Sequence, residues 1–229
     1  MRAPVYFPGV RAYFVITTVT AALLVLVILR PDGSAGEAAV LLELLTPLPL
    51  VLVSAGLLQS DTALALVAAS RTRLSSLLVA RWALALSGAL MVPAAVHLAA
   101  AFKNVDGSLA ALAWLAPTAF LSALGVLAAA FTASSAAGIS VGLGYWAVSL
   151  LMTPVLQDAC SNVLPAVCTA AVWSSAYGLI VAGGVGWEAN RAGLLIAAAV
   201  FLLISGVLYR NPERQVRATV QEATSWRTS

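Results

Sequence analysis

Long apolar runs with almost no charged residue recur along the whole chain, and charged or short polar stretches separate them. Because about 20 consecutive apolar residues are needed to cross a bilayer as a helix, such runs predict transmembrane helices. The predicted fold class is an all-α polytopic membrane protein, with a single transmembrane domain over residues 12–210. We predict six spans, at about residues 12–29, 38–58, 82–102, 109–131, 139–156 and 192–209.

The fourth and fifth spans come from one long stretch, residues 107–157, that carries no charge. This stretch is too long for one crossing, so the chain must turn within it. The small and polar residues 132–138 are the expected place for that turn.

The run over residues 159–187 also lacks a charge and is either a complete span or a re-entrant element. The positive-inside rule distinguishes the two, because cytoplasmic loops carry the excess of Lys and Arg. With six spans and a cytoplasmic N-terminus, three of the 12 basic residues lie outside, namely Arg30, Lys103 and Arg191, and the other nine lie inside. With seven spans, six basic residues would lie on each side of the membrane. We therefore predict both termini in the cytoplasm and an external re-entrant helical hairpin at 159–187.

The two ends of the chain have different predicted roles. Residues 1–11 carry apolar side chains between two arginines, which suits a segment lying on the cytoplasmic surface of the membrane. The first apolar run is long enough to span and no A-x-A-type site follows it, so we expect no cleaved signal. Residues 211–229 are predicted to form a polar cytoplasmic tail.

The composition excludes several broad classes of protein. Apolar residues make up 62% of the 229 residues and charged residues only 9%, with a mean hydropathy of +0.99. An ordinary soluble domain is about half apolar and about a quarter charged. A soluble globular enzyme, a disordered chain and a nucleic-acid-binding domain are therefore excluded, and the net charge of +3 does not indicate nucleic acid because most basic residues flank apolar runs.

The patterns of common catalytic sites are absent or incomplete. The chain has no G-x-x-x-x-G-K-[ST] phosphate loop and no H-E-x-x-H motif, and one histidine cannot build a histidine-rich metal site. Residues 138–142 match the G-x-S-x-G nucleophile motif through Ser140, with His97 as its base, but that motif requires a strand-to-helix elbow and here it opens a predicted span. No catalytic residue and no metal ligand are predicted. We interpret the G-x-S-x-G match as part of a helix-packing face of small residues, used within the chain or between chains. This face is formed by Gly138, Gly142 and Gly144.

The loop between the second and third spans, residues 59–81, has an organised pattern. Asp61 suits the N-cap of a short helix of Ala, Leu and Val. Ser70 to Arg73 form a basic turn, and from Leu74 an apolar helical stripe runs into the membrane. A soluble motor can grip such a short helix, with its apolar side in a cleft and the arginines against carboxylates.

At these residues the chain resembles the permease subunits of the type-two ABC transporter family. Loops of that family run from an acidic residue, through a short helix and a basic turn, to Leu-Leu and a basic residue that opens the third span. The overall plan of a surface segment, six spans and an external hairpin between the last two is also similar, so the resemblance covers nearly the whole chain. The matching positions in the loop are Asp61, residues 68–73, Leu77, Leu78 and Arg81.

The resemblance implies that the 61–81 loop is a coupling helix for a separate ABC ATPase subunit. Two ATPase copies would close on ATP and rock two permease chains, which form a homodimer or a heterodimer. No cofactor is expected in this chain, because the ATPase subunit binds ATP and Mg. The alternative is that the arginines of the loop only anchor the span at lipid headgroups. The implied coupling residues are Asp61, Ser70, Arg71, Arg73, Leu74 and Arg81.

Two ionisable residues lie in the outer part of the predicted spans, Glu43 in the second and His97 in the third. A charge that faces lipid is costly, so each is expected to face protein or water. One possibility is that Glu43 and His97 approach each other or flank the transport pathway. The other is that they are separate interfacial residues, each hydrogen-bonded to water or to a backbone carbonyl. Pro47 and Pro49, one turn deeper than Glu43, are expected to bend or break the second span and so shape a cavity, and Pro93 to act likewise in the third.

Cys160 and Cys168 both lie outside the membrane in the six-span prediction, where an oxidising exterior permits a disulfide. They either staple one arm of the hairpin or remain buried free thiols.

The predicted function is the transmembrane permease subunit of an ATP-driven ABC exporter in the bacterial cytoplasmic membrane. A small, mostly apolar pathway suits an amphipathic drug, antibiotic, peptide or lipid as cargo. One alternative is an integral membrane enzyme, which the missing catalytic residues disfavour. The other is an ATP-independent membrane scaffold or immunity protein.

Overall fold

The computed structural model describes residues 10–30, 44–57, 74–102, 111–162 and 187–210. All elements in these ranges are helices, so the predicted all-helical class is confirmed for this part of the chain. In chain order they are α1 (Val10–Leu29), α2 (Pro47–Ser54), α3 (Leu74–Ala89), α4 (Met91–Phe102), α5 (Ala111–Thr132), α6 (Ser135–Asn162) and α7 (Trp187–Leu208).

Four helical stretches in the described ranges are long and apolar enough to cross a membrane. Large apolar side chains cover their outer surfaces, such as Leu23 on α1 (56% exposed) and Leu203 on α7 (71% exposed). Such extensive exposed apolar surface suits lipid rather than water, so the fold indicates a membrane protein. The four stretches are Val10–Leu29, Leu74–Ala99, Trp114–Thr132 and Glu188–Leu208, and a shorter apolar helix covers Ser135–Leu151.

Helix α5 forms the centre of the fold and packs against α7, α6 and α2. Buried residues lie on successive positions around it, including Phe120, Leu121, Ser122 and Ala123. Much of α5 consists of alanine, glycine and serine, and small residues let neighbouring helices approach closely. Helices α1 and α4 pack against each other beside this centre.

The contacts of α6 show that it runs antiparallel to α5. Gly125 lies against Gly138, and the rings of Phe120 and Tyr145 have centroids 5.3 Å apart. Positions earlier in α5 therefore face positions later in α6.

Helix α2 also runs antiparallel to α6. Ala55, directly after α2, lies beside Gly138, and Val51 lies beside Gly142. Upstream of α2, the Trp146 indole donates a hydrogen bond to the Leu44 carbonyl at 3.1 Å. Helix α2 therefore runs in the same direction as α5.

Helix α7 runs antiparallel to α3, because Gly206 lies near Ser75 and Phe201 packs in one cluster with Trp82. It runs parallel to α5, since Leu194 shares a buried cluster with residue 116 of α5, and Tyr209 shares one with residue 130.

Helix α1 runs parallel to α3 and α4. Tyr13, near its start, lies against Gly88 and donates a hydrogen bond to the Ala85 carbonyl, and Ile28, near its end, clusters with Ala99. Consequently α1, α3–α4 and α6 run in one direction, and α2, α5 and α7 run in the other.

Prolines lie close to two interruptions of the helices. Thr46 separates the helical residues 44–45 from α2, which begins at Pro47, but its own backbone stays helical, with φ −60° and ψ −37°. The bend or break expected at Pro47 and Pro49, and the cavity it would shape, stay a prediction. Helices α3 and α4 are nearly continuous, because the Leu90 N–H donates to the Leu86 carbonyl and the Ala94 N–H donates to the Leu90 carbonyl. Pro93 lacks an N–H and its ring crowds the residue four positions earlier, which is Ala89.

A tight turn joins α5 to α6 within the predicted turn region. Ala133 adopts a left-handed φ of 54°, a conformation that ends a helix. The Ser134 hydroxyl then accepts a hydrogen bond from the Ala137 N–H at 3.5 Å, which caps the start of α6.

The predicted third span, 82–102, falls on α3 and α4, and α3 begins eight residues earlier than predicted, at Leu74. The last three predicted spans fall on α5, α6 and α7. Only residues 44–57 of the second predicted span are described. The surface segment up to residue 9, residues 163–186 of the hairpin and the tail 211–229 lie outside the described residues.

Candidate functional site

The two ends of the loop between α2 and α3 meet at one end of the helical bundle. Leu57, the last described residue before the loop, and Leu74, the first after it, belong to the same buried cluster. Ala130, near the end of α5, and Tyr209, just after α7, belong to it as well. Leu57 and Leu74 therefore lie together at the end of the bundle where α5 and α7 end.

Arg81 is buried next to this cluster, with 1% of its surface exposed. Its Nη1 donates a hydrogen bond to the carbonyl oxygen of Leu57 at 2.7 Å. Burying an arginine cation is costly unless it is hydrogen-bonded, and a hydrogen bond from a charged donor contributes about 1.5–3 kcal/mol. This contact therefore holds the end of the α2 segment against α3.

The acceptor comes from the tight turns that follow α2. The Gly56 N–H donates to the Val53 carbonyl at 3.0 Å, and the Leu57 N–H donates to the Ser54 carbonyl at 3.3 Å. The Leu57 carbonyl lies beyond Ala55, the C-cap residue of α2, and accepts from the Arg81 guanidinium. A guanidinium from the neighbouring helix is well suited to this position.

The residue after Arg81 connects α3 to α5. Trp82 Nε1 donates to Ser122 Oγ at 3.2 Å, and the Ser54 hydroxyl donates to the Ser122 carbonyl at 3.2 Å. Hydrogen bonds thus join α2, α3 and α5 in pairs at one level of the bundle. We call this set, Ser54, Leu57, Arg81, Trp82 and Ser122, the three-helix junction.

Most of the predicted coupling residues cannot be placed, because Asp61, Ser70, Arg71 and Arg73 lie outside the described residues. Leu74 and Arg81 are both buried. Neither side chain is exposed on the surface of the described helices.

Gly138 and Gly142 are confirmed as helix-packing positions. A Cβ atom on Gly138 would lie 2.5 Å from the Gly125 carbonyl oxygen and 2.7 Å from Ala55 Cβ, and one on Gly142 would be 2.7 Å from α2. The predicted contribution of Gly144 is wrong within the described chain, because nothing lies within 4 Å of its Cβ position. Helices α5 and α2 of the same chain cover the Gly138–Gly142 face, so it is not free to bind a second chain.

Ser140 lies inside α6 and is exposed. The strand-to-helix elbow that presents a nucleophilic serine is therefore not formed at this position. The structure supports the interpretation of the G-x-S-x-G match as a packing sequence.

The predicted pathway residues are in different environments. Pro47 is buried at the start of α2, His97 is exposed on α4, and Glu43 lies outside the described residues. His97 therefore faces outward from the described helices rather than into a shared interior with Pro47. Cys160 belongs to the last turns of α6, and Cys168 lies outside the described residues.

Sequence reasoning missed that Arg191 is fully buried on α7. It shares a helix face with the buried Leu194, Ala198 and Ser205, at helical spacing. An apolar stripe that continues through a charged residue is the signal that would have found it. The same signal applies to Arg81, which continues the buried stripe of α3 formed by Leu74, Leu77 and Leu78.

Comparison with protein-family models, with curated proteins and with solved structures finds no match to this chain.

Proposed function

We propose that this chain is the permease subunit of an ATP-driven exporter similar to the type-two ABC family, and that the 58–73 loop binds a separate ATPase. The observation that carries the proposal is the anchoring of both loop ends, Leu57 and Leu74, in one buried cluster at one end of the bundle. Force on a loop held in this way reaches two transmembrane segments at once.

The alternation of helix directions supports six crossings with both termini on one side. Taking α2 with the residues before it as one segment, and α3 with α4 as another, successive segments run in opposite directions. In particular, α6 ends and α7 begins at the same end of the bundle, because the two helices run antiparallel. This arrangement of α6 and α7 favours an even number of crossings, independently of the distribution of charges. It also suits an external hairpin between the two helices.

The proposed roles follow the pattern of the loop. Asp61 caps the coupling helix, Ser70 forms the turn, and Arg71 and Arg73 bind carboxylates at the rim of the ATPase cleft. The cargo is proposed to be an amphipathic drug, antibiotic, peptide or lipid, carried by a homodimer or heterodimer in the cytoplasmic membrane of a bacterium.

The test is affinity purification of the tagged full chain from its native membrane in mild detergent, with mass spectrometry of the bound proteins. We expect a stoichiometric ATPase subunit that is lost from Arg71→Glu/Arg73→Glu. The matched control is Arg214→Glu/Arg217→Glu, which reverses two charges on the same proposed side and should keep the ATPase.

Recovery of the wild-type chain without any ATPase in several detergents would contradict the proposal and favour a scaffold or immunity protein. Equal loss of the ATPase from both double variants would contradict the assignment of the loop.

A further inference from the structure

Arg81 and Trp82 are consecutive residues that bind two different helices. Arg81 Nη1 holds the Leu57 carbonyl after α2, and Trp82 Nε1 holds the Ser122 hydroxyl on α5. The Ser54 hydroxyl joins α2 to α5, sharing its proton between the Val51 carbonyl and the Ser122 carbonyl, both 3.2 Å away. Within the described residues, the three-helix junction therefore has a hydrogen bond between each pair of α2, α3 and α5.

The Arg81 link differs from the other two in its strength and in its place. It is the charge-assisted one, and such hydrogen bonds are roughly twice as strong as neutral ones. Its acceptor, Leu57, is also the last described residue before the 58–73 loop, whereas Arg81 lies on the helix that follows the loop. The link therefore connects the two flanks of the loop directly.

We infer that Arg81 is a positioning residue that makes the two flanks of the 58–73 loop move as one body and passes their displacement to the central helix α5. Without it, the segment after α2 is held to α3 less firmly, through the apolar packing of Leu57 and Leu74, and more of the displacement of the loop is absorbed locally. The inference rests on the proposed function for the source of the displacement.

The first test measures hydrogen–deuterium exchange of the full chain in lipid nanodiscs and needs no ATPase. In Arg81→Gln we expect exchange in residues 44–57 to rise about tenfold or more, as loss of a charged hydrogen bond predicts. Residues 135–151 of α6 should be unchanged. Arg81→Lys keeps a cationic donor but not the planar guanidinium, so the exchange of residues 44–57 should rise less in this variant, about twofold to tenfold.

Arg11→Gln is the matched control, because Arg11 is an exposed arginine at the end of α1 that lies on the loop side of the bundle. It should leave the exchange of residues 44–57 as in the wild type. If Arg81→Gln does not fold, the exchange of residues 44–57 in Arg81→Lys tests the inference instead. An unchanged 44–57 region, or an equal rise throughout α6, would overturn the inference.

The second test uses the complex with the co-purified ATPase and compares exchange with and without ATP plus vanadate. In the wild type we expect nucleotide-dependent changes both in the 58–73 loop and in residues 114–132 of α5. In Arg81→Gln the change should be confined to the loop, while the ATPase stays bound. An equal nucleotide-dependent change of exchange in α5 of the variant would overturn the inference. Absence of any ATPase from the wild type would contradict the proposed function, and the role of Arg81 would then be decided by the first test.

Discussion

Replacing Gly138 by alanine is expected to destabilise the fold, although alanine is the better helix former. The new Cβ would lie 2.5 Å from the Gly125 carbonyl oxygen and 2.8 Å from Ala129 Cβ, whereas ordinary van der Waals contact begins at 3.4 Å. These neighbours are backbone and alanine atoms, so no side chain can rotate away. Helices α5 and α6 must separate by about 0.5–1 Å, and a gap of that size forfeits about a quarter to a half of the dispersion energy at each contact it opens.

The magnitude follows from two opposing effects. Overpacking of a core costs about 1–3 kcal/mol, and replacing glycine within a helix returns about 1 kcal/mol at most. Gly144→Ala is the matched control, because it adds the same methyl group to the same helix at a position where no described residue lies within 4 Å. The helix-propensity gain is the same in both variants and cancels in the comparison, so we expect Gly138→Ala to be less stable than Gly144→Ala by about 1–3 kcal/mol.

The assay is SDS titration of each variant in mixed micelles, with unfolding followed by circular dichroism and the free energy of unfolding compared between variants. A difference below about 0.5 kcal/mol, the usual scatter of harmless surface substitutions, would refute the close approach of α5 and α6.

Two further predictions use other contacts of the same helices. Trp82→Phe and Ser122→Ala each remove the α3–α5 hydrogen bond, so the double variant should lose less stability than the sum of the singles by about 0.5–1.5 kcal/mol in the same titration; strictly additive losses would mean that the two side chains do not interact. Ser140→Ala should leave expression, stability and transport by the purified complex unchanged, because Ser140 is exposed within a helix; loss of activity at normal expression would instead favour the membrane-enzyme alternative.

The candidate site was only partly predictable from the sequence, and Arg81 illustrates the reason. Its charge suggested a headgroup anchor or a contact with a soluble partner, because arginine is almost never fully buried unless it is paired. The stripe that begins at Leu74 places the same residue on the buried face of α3. The two signals conflict, and the Leu57 carbonyl decides between them by supplying the acceptor that makes burial tolerable.

The glycines show a different limit. Gly138 and Gly142 are four residues apart and share a helix face, whereas Gly144 is two residues further and points elsewhere. The period of the helix was enough to separate Gly144 from the other two. Only the packing shows that α5 and α2 of the same chain, rather than a second chain, cover that face.

The sequence by itself determined the all-helical membrane class and the approximate places of the described helices, because hydropathy acts between residues that are neighbours along the chain. The tertiary structure alone decided that α5 is the central helix, that Arg81 and Arg191 are buried, and that Ser54, Trp82 and Ser122 join three helices. These features depend on which helices meet and at which level. Residues far apart in the chain must find complementary surfaces and hydrogen-bond partners, and no local pattern encodes that choice.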